Sequence, residues 1–362
     1  MPTHHNVMSL LRAPGQGLLT VTTGTGEAQK ILNPLFGRKN LENWLPVSRD
    51  RRLERGPHIL GFPSDAGGGI CRGAAHGPLH LRAALYSREP HWAAHDLGDL
   101  PCIPQLLEES MLNFNQRKKS GKVLWGARFR PSSPVSPLNL LKEALIQGFR
   151  ENPDDFSPLV VGGDHSTSWA VTEALFASRK MKNLGILHFD AHTDLMEHRY
   201  GVEHCFATWA AHCMKRFAGK QKKNFVQVGL RISGKTKAHW ERKFGLQQFW
   251  MKELQKQDPK IFAEQLIRGW KNRGVKHLYI SFDVDALDPT LVPSTGTPEP
   301  KGLSVAWSKK VIEVVSKSFP VIAADIVELA PVLGGKSESR KSSKNSALIA
   351  ESLLKALKRG LH

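Results

Sequence analysis

Short apolar runs that alternate with amphipathic stretches constrain the fold of this sequence more than any other feature. The runs are ILGF (59–62), PLVVGG (158–163), LGILHFDAH (184–192), FVQVGL (225–230), HLYISFDVD (277–285) and VIAADIVEL (321–329). Intervening segments such as SPLNLLKEALIQGF and SVAWSKKVIEVVSK place apolar residues at helical spacing. Continuous apolar strands separated by helices predict an α/β domain whose parallel sheet is covered on both faces.

Two stretches of the 362-residue chain fall outside this alternation. Residues 1–55 show no clear periodicity, and we predict an N-terminal extension that wraps the domain or is partly loose. Residues 56–362 then form one domain. Within it, the Ser/Lys-rich segment 334–345 predicts a mobile surface loop, followed by a final helix over residues 346–358.

Composition narrows the class of protein. The chain carries 51 Lys and Arg against 33 Asp and Glu, a net charge of +18. Its basic patches are not interleaved with aromatic residues, which favours a solvated basic surface over nucleic-acid binding. The four cysteines form no C-x-x-C pair, which is typical of reduced thiols. No apolar run approaches the roughly 18 residues of a membrane span.

The beginning of the sequence also bears on localisation. It has no charged region followed by a long apolar core, as a secretory signal would have. A shortage of acids before Glu27 is a weak indication of a transit peptide. Because a secretory signal is lacking and the cysteines are typical of reduced thiols, we predict a cytoplasmic protein.

Polar residues follow four of the apolar runs at the point where each run ends. These are Gly162-Gly163-Asp164-His165-Ser166, Asp190-Ala191-His192-Thr193-Asp194, Asp283-Val284-Asp285, and Glu328. Because ligands of parallel sheets collect at the carboxyl ends of strands, we expect these side chains to converge.

Period-two geometry explains why the acids share a face. On an extended strand end, Asp190, His192 and Asp194 point the same way, as do Asp283 and Asp285. Buried carboxylates so close together repel one another unless divalent cations neutralise them. Alone, the first motif also suits a turn with a helix cap and the third a turn, whereas the two acids of Asp190-Ala191-His192-Thr193-Asp194 at the end of a buried strand need a partner. All three at strand ends favour a metal site, because unpaired buried charge is so costly.

Together these motifs resemble the arginase and agmatinase (ureohydrolase) family. The chain carries GGDHS, DAHTD and SFDVDALDP in order, and the resemblance spans roughly residues 61–331. ILGFPSDAGGGICRGAAHGPLHLR resembles the family's first strand and its glycine-rich loop. The resemblance implies a three-layer α/β/α fold with a mainly parallel eight-stranded sheet, assembled as trimers or hexamers.

The resemblance also implies two manganese ions per chain. One would be bound by His165, Asp190, Asp194 and Asp283, and the other by Asp190, His192, Asp283 and Asp285. Asp190 and Asp283 would then bridge the ions, which activate water for attack on a guanidino carbon. The products would be urea and an amine.

Further residues receive roles from the same resemblance. Asp194 would orient the nucleophile, Glu328 would pair with the guanidinium, and Thr297 would lie near that group. His204 matches the histidine that carries protons to the leaving amine, ten residues after Asp194 as in agmatinases. The chain reads His204-Cys205-Phe206 where the family has His-Gly, so a core histidine is the alternative, and His198 is a weaker substitute.

The motifs leave the substrate open. Loop length favours an agmatine-like substrate, whose distal ammonium Glu197 would meet. No acid follows Arg231 within seven residues, which opposes arginine binding as arginases bind it. Arg199 and Arg231 are candidates for a substrate carboxylate, as in guanidino acids or formiminoglutamate, although Arg231 also suits a structural role.

Two other classes of function remain as alternatives. One is an amide deacetylase with a single zinc ion, which the additional ligands His165 and Asp285 oppose. The other is a non-catalytic basic binding protein that retains the metal site.

Overall fold

The computed structural model describes residues 5–19, 25–37, 53, 55–178 and 183–361. Eight strands form one sheet: β1 (Gly56–Gly61), β2 (Asp96–Asp99), β3 (Phe156–Val161), β4 (Leu184–Phe189), β5 (Phe225–Leu230), β6 (Gln247–Trp250), β7 (His277–Asp283) and β8 (Val321–Val327). Their order is β2-β1-β3-β8-β7-β4-β5-β6, and every neighbouring pair is parallel. The predicted parallel sheet is confirmed.

Helices cover both faces of the sheet. They are α1 (Thr25–Phe36), α2 (Gly77–Tyr86), α3 (Phe114–Trp125), α4 (Pro137–Glu151), α5 (Thr167–Ala177), α6 (Trp209–Met214), α7 (Lys237–Phe244), α8 (Met251–Leu254), α9 (Pro259–Asn272), α10 (Val305–Ser318) and α11 (Lys336–Gly360). Amphipathic sequences explain the longer ones, since α4, α9 and α10 each bury one stripe of apolar residues.

Alternation along the strands produces two hydrophobic cores. Leu187 and Phe189 of β4 lie in the core beneath α2, α9, α10 and α11, whereas Leu184 and Ile186 lie in the core beneath α4, α5 and α6. Both faces of the sheet are therefore buried, and the predicted three-layer α/β/α architecture is confirmed.

Two strands were not predicted from the sequence. They are β2 and β6, four residues each, and both lie at the edges of the sheet. An edge strand pairs on one side only, and these two lack the continuous apolar run of the central strands.

The predicted loop over residues 334–345 is wrong from Lys336 onward. Residues 336–345 form the first ten residues of α11, which runs unbroken to Gly360. Glu338 accepts the backbone N–H of Gly335 at 3.0 Å and so caps the start of the helix. Ser342, Ser343 and Ser346 lie on its buried face, so that small serines replace larger apolar residues there.

The described parts of the N-terminal extension pack on the domain. A 3₁₀ turn at Val7–Leu10 contacts α4, and the backbone N–H of Met8 donates to Gln147 Oε1 at 3.1 Å. Helix α1 packs against α2. None of the described helices has an apolar stretch suited to crossing a membrane.

Candidate metal centre

Four neighbouring strands deliver the predicted site residues to one edge of the sheet. Strands β3, β8, β7 and β4 are adjacent, and their carboxyl ends lead into His165, Glu328, Asp283 and Asp190 respectively. Because the strands are parallel, the residues that follow them meet at the same edge.

A first group of ligand atoms surrounds His165. Its Nδ1 lies 3.0 Å from Asp194 Oδ2, 3.1 Å from Asp283 Oδ2 and 3.2 Å from Asp190 Oδ2. This Nδ1 is buried and makes no hydrogen bond. Its other nitrogen, Nε2, is held by Ser281 Oγ at 3.0 Å, which aims Nδ1 at the three carboxylates.

A second group surrounds His192. Its Nδ1 lies 3.0 Å from Asp285 Oδ2 and 3.5 Å from Asp190 Oδ1. The ligand atoms of Asp190, His192 and Asp285 all lie within 4.8 Å of one another. Asp190 thus faces the first group with one oxygen and the second with the other.

Electrostatics show how the cluster behaves without cations. Burial, together with Asp285 and Asp190, raises the pKa of Asp283 well above its usual value, and burial with Asp190 also raises that of Asp194. Despite its burial, Asp190 has a pKa well below the usual value because histidines surround it. Carboxylates raise the pKa of His192 to about 12, also against the effect of burial.

These residues fit divalent metal ions. Without cations, the carboxylates and imidazoles can lie this close only if protons are shared between them. The buried Nδ1 of His165 also makes no hydrogen bond. Oxygen-rich groups with one imidazole each suit Mn²⁺ and related divalent ions. The chemistry of the donors therefore matches two cation positions that share Asp190.

His188 was missed by the sequence analysis. This buried histidine of β4 places Nε2 2.7 Å from Asp190 Oδ2, while Gln227 Nε2 lies 3.0 Å from its Nδ1. Gln227 Nε2 also donates to Thr193 O, and its Oε1 accepts from Gln248, so the amide can act only as donor to His188. His188 is thereby fixed as the Nε2–H tautomer that donates to Asp190. Its place two residues before Asp190, on the same strand face, was the available signal.

Glu328 lies beside the cluster in a strained conformation. Its φ is 65°, and its Oε1 accepts the backbone N–H of His165 at 2.8 Å. Burial, together with Asp164, raises the pKa of Glu328 well above its usual value. A glutamate with a left-handed backbone conformation is energetically costly, and residues strained in this way are frequent at functional sites. A cation bound nearby would favour the ionised form of Glu328. Thr297 also reaches the cluster, since its Oγ1 donates to Asp285 Oδ2 at 3.3 Å.

His204 makes its contacts away from these ligand groups. Its Nδ1 lies 3.3 Å from Glu108 Oε1, which also accepts its backbone N–H at 2.9 Å. The ring packs on Trp169 with centroids 4.2 Å apart. The predicted shuttle role stays a prediction, and His198 is exposed.

The guanidinium of Arg231 contacts the protein backbone. Its two terminal nitrogens donate to the backbone carbonyls of four residues: Gly229, Ala286, Asp285 and Glu299. These contacts join the ends of β5 and β7 and use all of the terminal N–H groups. They oppose a role in substrate binding and support the structural alternative.

Glu197 is engaged as well. Its carboxylate lies 2.8 Å from Lys243 Nζ and 3.9 Å from Lys215 Nζ. These lysines neutralise the acid that was considered for a distal substrate ammonium.

Comparison with known proteins places this geometry in a family. A profile of the arginase family matches residues 56–357. "Arginase 1, mitochondrial" of Arabidopsis thaliana is 34% identical over 275 residues, which cover 75% of this chain and 73% of that protein. The human "Guanidino acid hydrolase, mitochondrial" is 32% identical over 204 residues, covering 54% of this chain and 53% of that protein.

Solved structures show the same fold. The formimidoylglutamase of Bacillus subtilis superposes with a TM-score of 0.66 at 19% identity, covering 86% of this chain and 90% of that one. The three motifs, the parallel sheet and the profile match over most of the chain agree with one another. The chain belongs to the arginase family.

Proposed function

We propose that this protein is a hydrolase that uses two divalent cations to cleave a C–N bond of a guanidino or amidino group, releasing urea and an amine from guanidines. The observation that carries the proposal is the pair of ligand groups around His165 and His192, joined by the two oxygens of Asp190. We further propose manganese as the metal, because carboxylate oxygens predominate among the ligands.

The residues around the two cation positions divide the work. Cations bound there would supply a nucleophile from water at neutral pH. Asp194 orients that water, since its Oδ2 is itself fixed by Trp209 Nε1 at 3.0 Å. Glu328 accepts the planar guanidinium with its free oxygen, and Thr297 holds Asp285 in place.

His204 is proposed as the residue that returns a proton to the leaving amine. This role needs its imidazole to reach the substrate nitrogen directly or through one water. Its contact with Glu108 fixes the loop that carries it.

The substrate within the guanidino class is a separate question. Loop length supports agmatine. However, Glu197, the acid expected to recognise its distal ammonium, forms ion pairs with two lysines. Guanidino acids and formiminoglutamate remain candidates, and the names of relatives include arginases and a guanidino acid hydrolase.

Assembly and localisation belong to the same proposal. We propose a homo-oligomer, trimeric or hexameric, on the family resemblance. The predicted cytoplasmic localisation also stays a proposal, beside plant relatives whose names place them in mitochondria.

Metal analysis combined with a substrate panel tests the function. After loading with Mn²⁺, the protein should hold close to two ions per chain by elemental analysis. Urea should form from at least one of agmatine, arginine, 4-guanidinobutyrate and 3-guanidinopropionate, or glutamate from formiminoglutamate. One zinc ion per chain with amide hydrolysis would instead indicate a deacetylase. Two bound ions without any turnover, together with salt-sensitive nucleic-acid binding, would indicate a binding protein.

A further inference from the structure

Arg199 is held on a tight turn in the loop that follows the metal ligands of β4. The backbone N–H of Arg199 donates to Val202 O at 2.8 Å, and that of Val202 returns to Arg199 O at 3.0 Å. Between them, Tyr200 and Gly201 have φ values of 52° and 87°. Two successive residues with positive φ are characteristic of a type I′ turn, which fixes the backbone position of Arg199.

The side chain of Arg199 packs against aromatic rings and, among the described residues, forms no ion pair with an acid. Its guanidinium lies 4.9 Å from the Phe206 ring and 6.0 Å from that of Tyr200. The side chain is half-buried. In the described part of the chain no carboxylate lies within 4.0 Å of it, so a partly desolvated cation is stacked without a counterion.

Phe206 ties this cation to the wall of the proposed active site. The backbone N–H of Phe206 donates to Gly67 O at 3.0 Å, and its ring covers Gly69. Gly67 in turn donates its N–H to Asp164 Oδ2 at 2.9 Å, next to the ligand His165. These contacts connect Arg199, through Phe206 and the glycine-rich loop, to the segment that carries His165.

Three acids of the loops around the ligand cluster have partners of their own. Glu197 is paired with two lysines, and Asp65 accepts the N–H of Gly73 at 2.8 Å. Glu299 lies 3.9 Å from His192 Nε2. The guanidinium of Arg199 is therefore available to the far end of a substrate whose guanidino group reaches Glu328.

We propose that Arg199 binds a carboxylate at the end of the substrate distal to the guanidino group, so that guanidino acids are the preferred substrates. This inference rests on the proposed function and assigns its substrate class. The planar fork of Arg199 matches a carboxylate in a two-point contact, and stacking on Phe206 orders it beforehand. A distal ammonium, as in agmatine, meets like charge at the same position.

The test compares substrates that differ only in the charge of the distal end. These are 4-guanidinobutyrate, agmatine and butylguanidine, with 3-guanidinopropionate and propylguanidine as a shorter pair. The manganese-loaded full chain should give the highest kcat/KM with an acid. Arg199→Ala should lower kcat/KM for that acid at least tenfold, mainly through KM, and leave the matching neutral guanidine within twofold. Arg199→Lys should retain part of the preference, and Arg199→Glu should shift it toward agmatine.

Arg216 provides a matched control. It also stacks on an aromatic ring, 4.7 Å from Phe176, but it forms an ion pair with Glu173 at 3.8 Å. Its contacts lie toward the carboxyl end of α5, whereas His165 precedes the start of that helix. Arg216→Ala should leave the ranking of substrates unchanged.

Each other outcome overturns the inference in a recognisable way. Equal losses on charged and neutral guanidines would make Arg199 a structural residue of the loop. Agmatine as the best substrate, unaffected by Arg199→Glu, would refute the anion site while the proposed hydrolase function stands. No product from any guanidine or from formiminoglutamate, at two bound ions per chain, would overturn the function and the inference together.

Discussion

Asp190 is the residue on which both halves of the ligand cluster depend. Its Oδ2 lies 3.2 Å from His165 Nδ1, and its Oδ1 lies 3.5 Å from His192 Nδ1. His188 fixes the orientation of this carboxylate through a 2.7 Å hydrogen bond to Oδ2. If Asp190 bridges two cations through its two oxygens, the hydrogen bond that fixes its rotation matters for both cation positions.

We therefore expect His188 to influence metal affinity through its hydrogen bond to Asp190. We expect His188→Ala to weaken Mn²⁺ binding by about 10–100-fold, the usual effect of losing a partner of a metal ligand. His188→Gln retains a donor and should lose less. The measurement is a competitive titration against a metal-sensitive dye. His58, a buried histidine of β1, serves as the control, and His58→Asn should leave the affinity unchanged. Equal weakening by both variants would show that general destabilisation, rather than the contact with Asp190, is the cause.

The convergence of the proposed metal ligands was predictable from sequence, whereas their hydrogen-bond partners were not. Period-two spacing after an apolar run is enough to place Asp190, His192 and Asp194 on one side of a strand end. The outer contacts depend on residues distant in sequence, as with Gln227 on His188. Arg231 shows the same limit, because only the folded chain reveals the four carbonyls that its guanidinium contacts.

At the scale of elements, the central strands were predictable and the edge strands were not. Strand β2 reads Asp-Leu-Gly-Asp, which has no apolar alternation, yet all four residues are buried. Arg82 explains this, since it is fully buried and donates to both Asp96 and Asp99. The strand is stabilised by a buried charge network, and such a network leaves no hydrophobic pattern in the sequence.

Helix α11 illustrates a different failure of pattern reading. Its first turns are rich in Ser and Lys, a composition typical of loops, but Ser342, Ser343 and Ser346 occupy the buried stripe. Ser342 Oγ accepts the backbone N–H of Ser294 at 3.0 Å, so the serine side chain satisfies a buried donor that an apolar residue would leave unpaired. Small polar residues can thus line a helix face where a neighbouring loop lies close.

The helical state of residues 336–345 has a measurable consequence. Ser342→Pro should lower the free energy of unfolding by about 3 kcal/mol or more, because proline removes a helical hydrogen bond and clashes with the preceding turn. Ser342→Ala should cost only about 1 kcal/mol, for the bond to Ser294. Urea denaturation measures both, with Lys344→Ala on the exposed face as control. If the proline variant cost no more than the alanine variant, the segment would be a loop as its composition indicated.

At the scale of the whole molecule, the N-terminal segment shows how far the domain extends. The profile match begins at residue 56, yet Val7, Met8, Leu10 and Leu11 are buried in the core under α4. The N–H groups of Gly15 and Gly17 donate to Asp99, the same carboxylate that Arg82 holds. The described part of the segment therefore completes one face of the sheet, whereas its aperiodic sequence left wrapping and a loose extension as alternatives.

The proposed cations connect three strands of this sheet, and their effect on stability follows from that position. The ends of β3, β4 and β7 all carry ligands, so cations that bind only the folded chain stabilise the whole domain. Mn²⁺ at one hundred times its Kd should add about 2.7 kcal/mol to the free energy of unfolding for each ion bound, and chelation should remove this gain. Asp190→Asn should abolish this gain, because the carboxylate that faces both ligand groups is lost. Asp288→Asn is the control: Asp288 belongs to the same motif but accepts hydrogen bonds from Thr290 and Gly302, outside the cluster. Paired thermal and urea unfolding, with and without Mn²⁺, separates the two variants. An undiminished gain in Asp190→Asn would mean that the cations do not share this carboxylate.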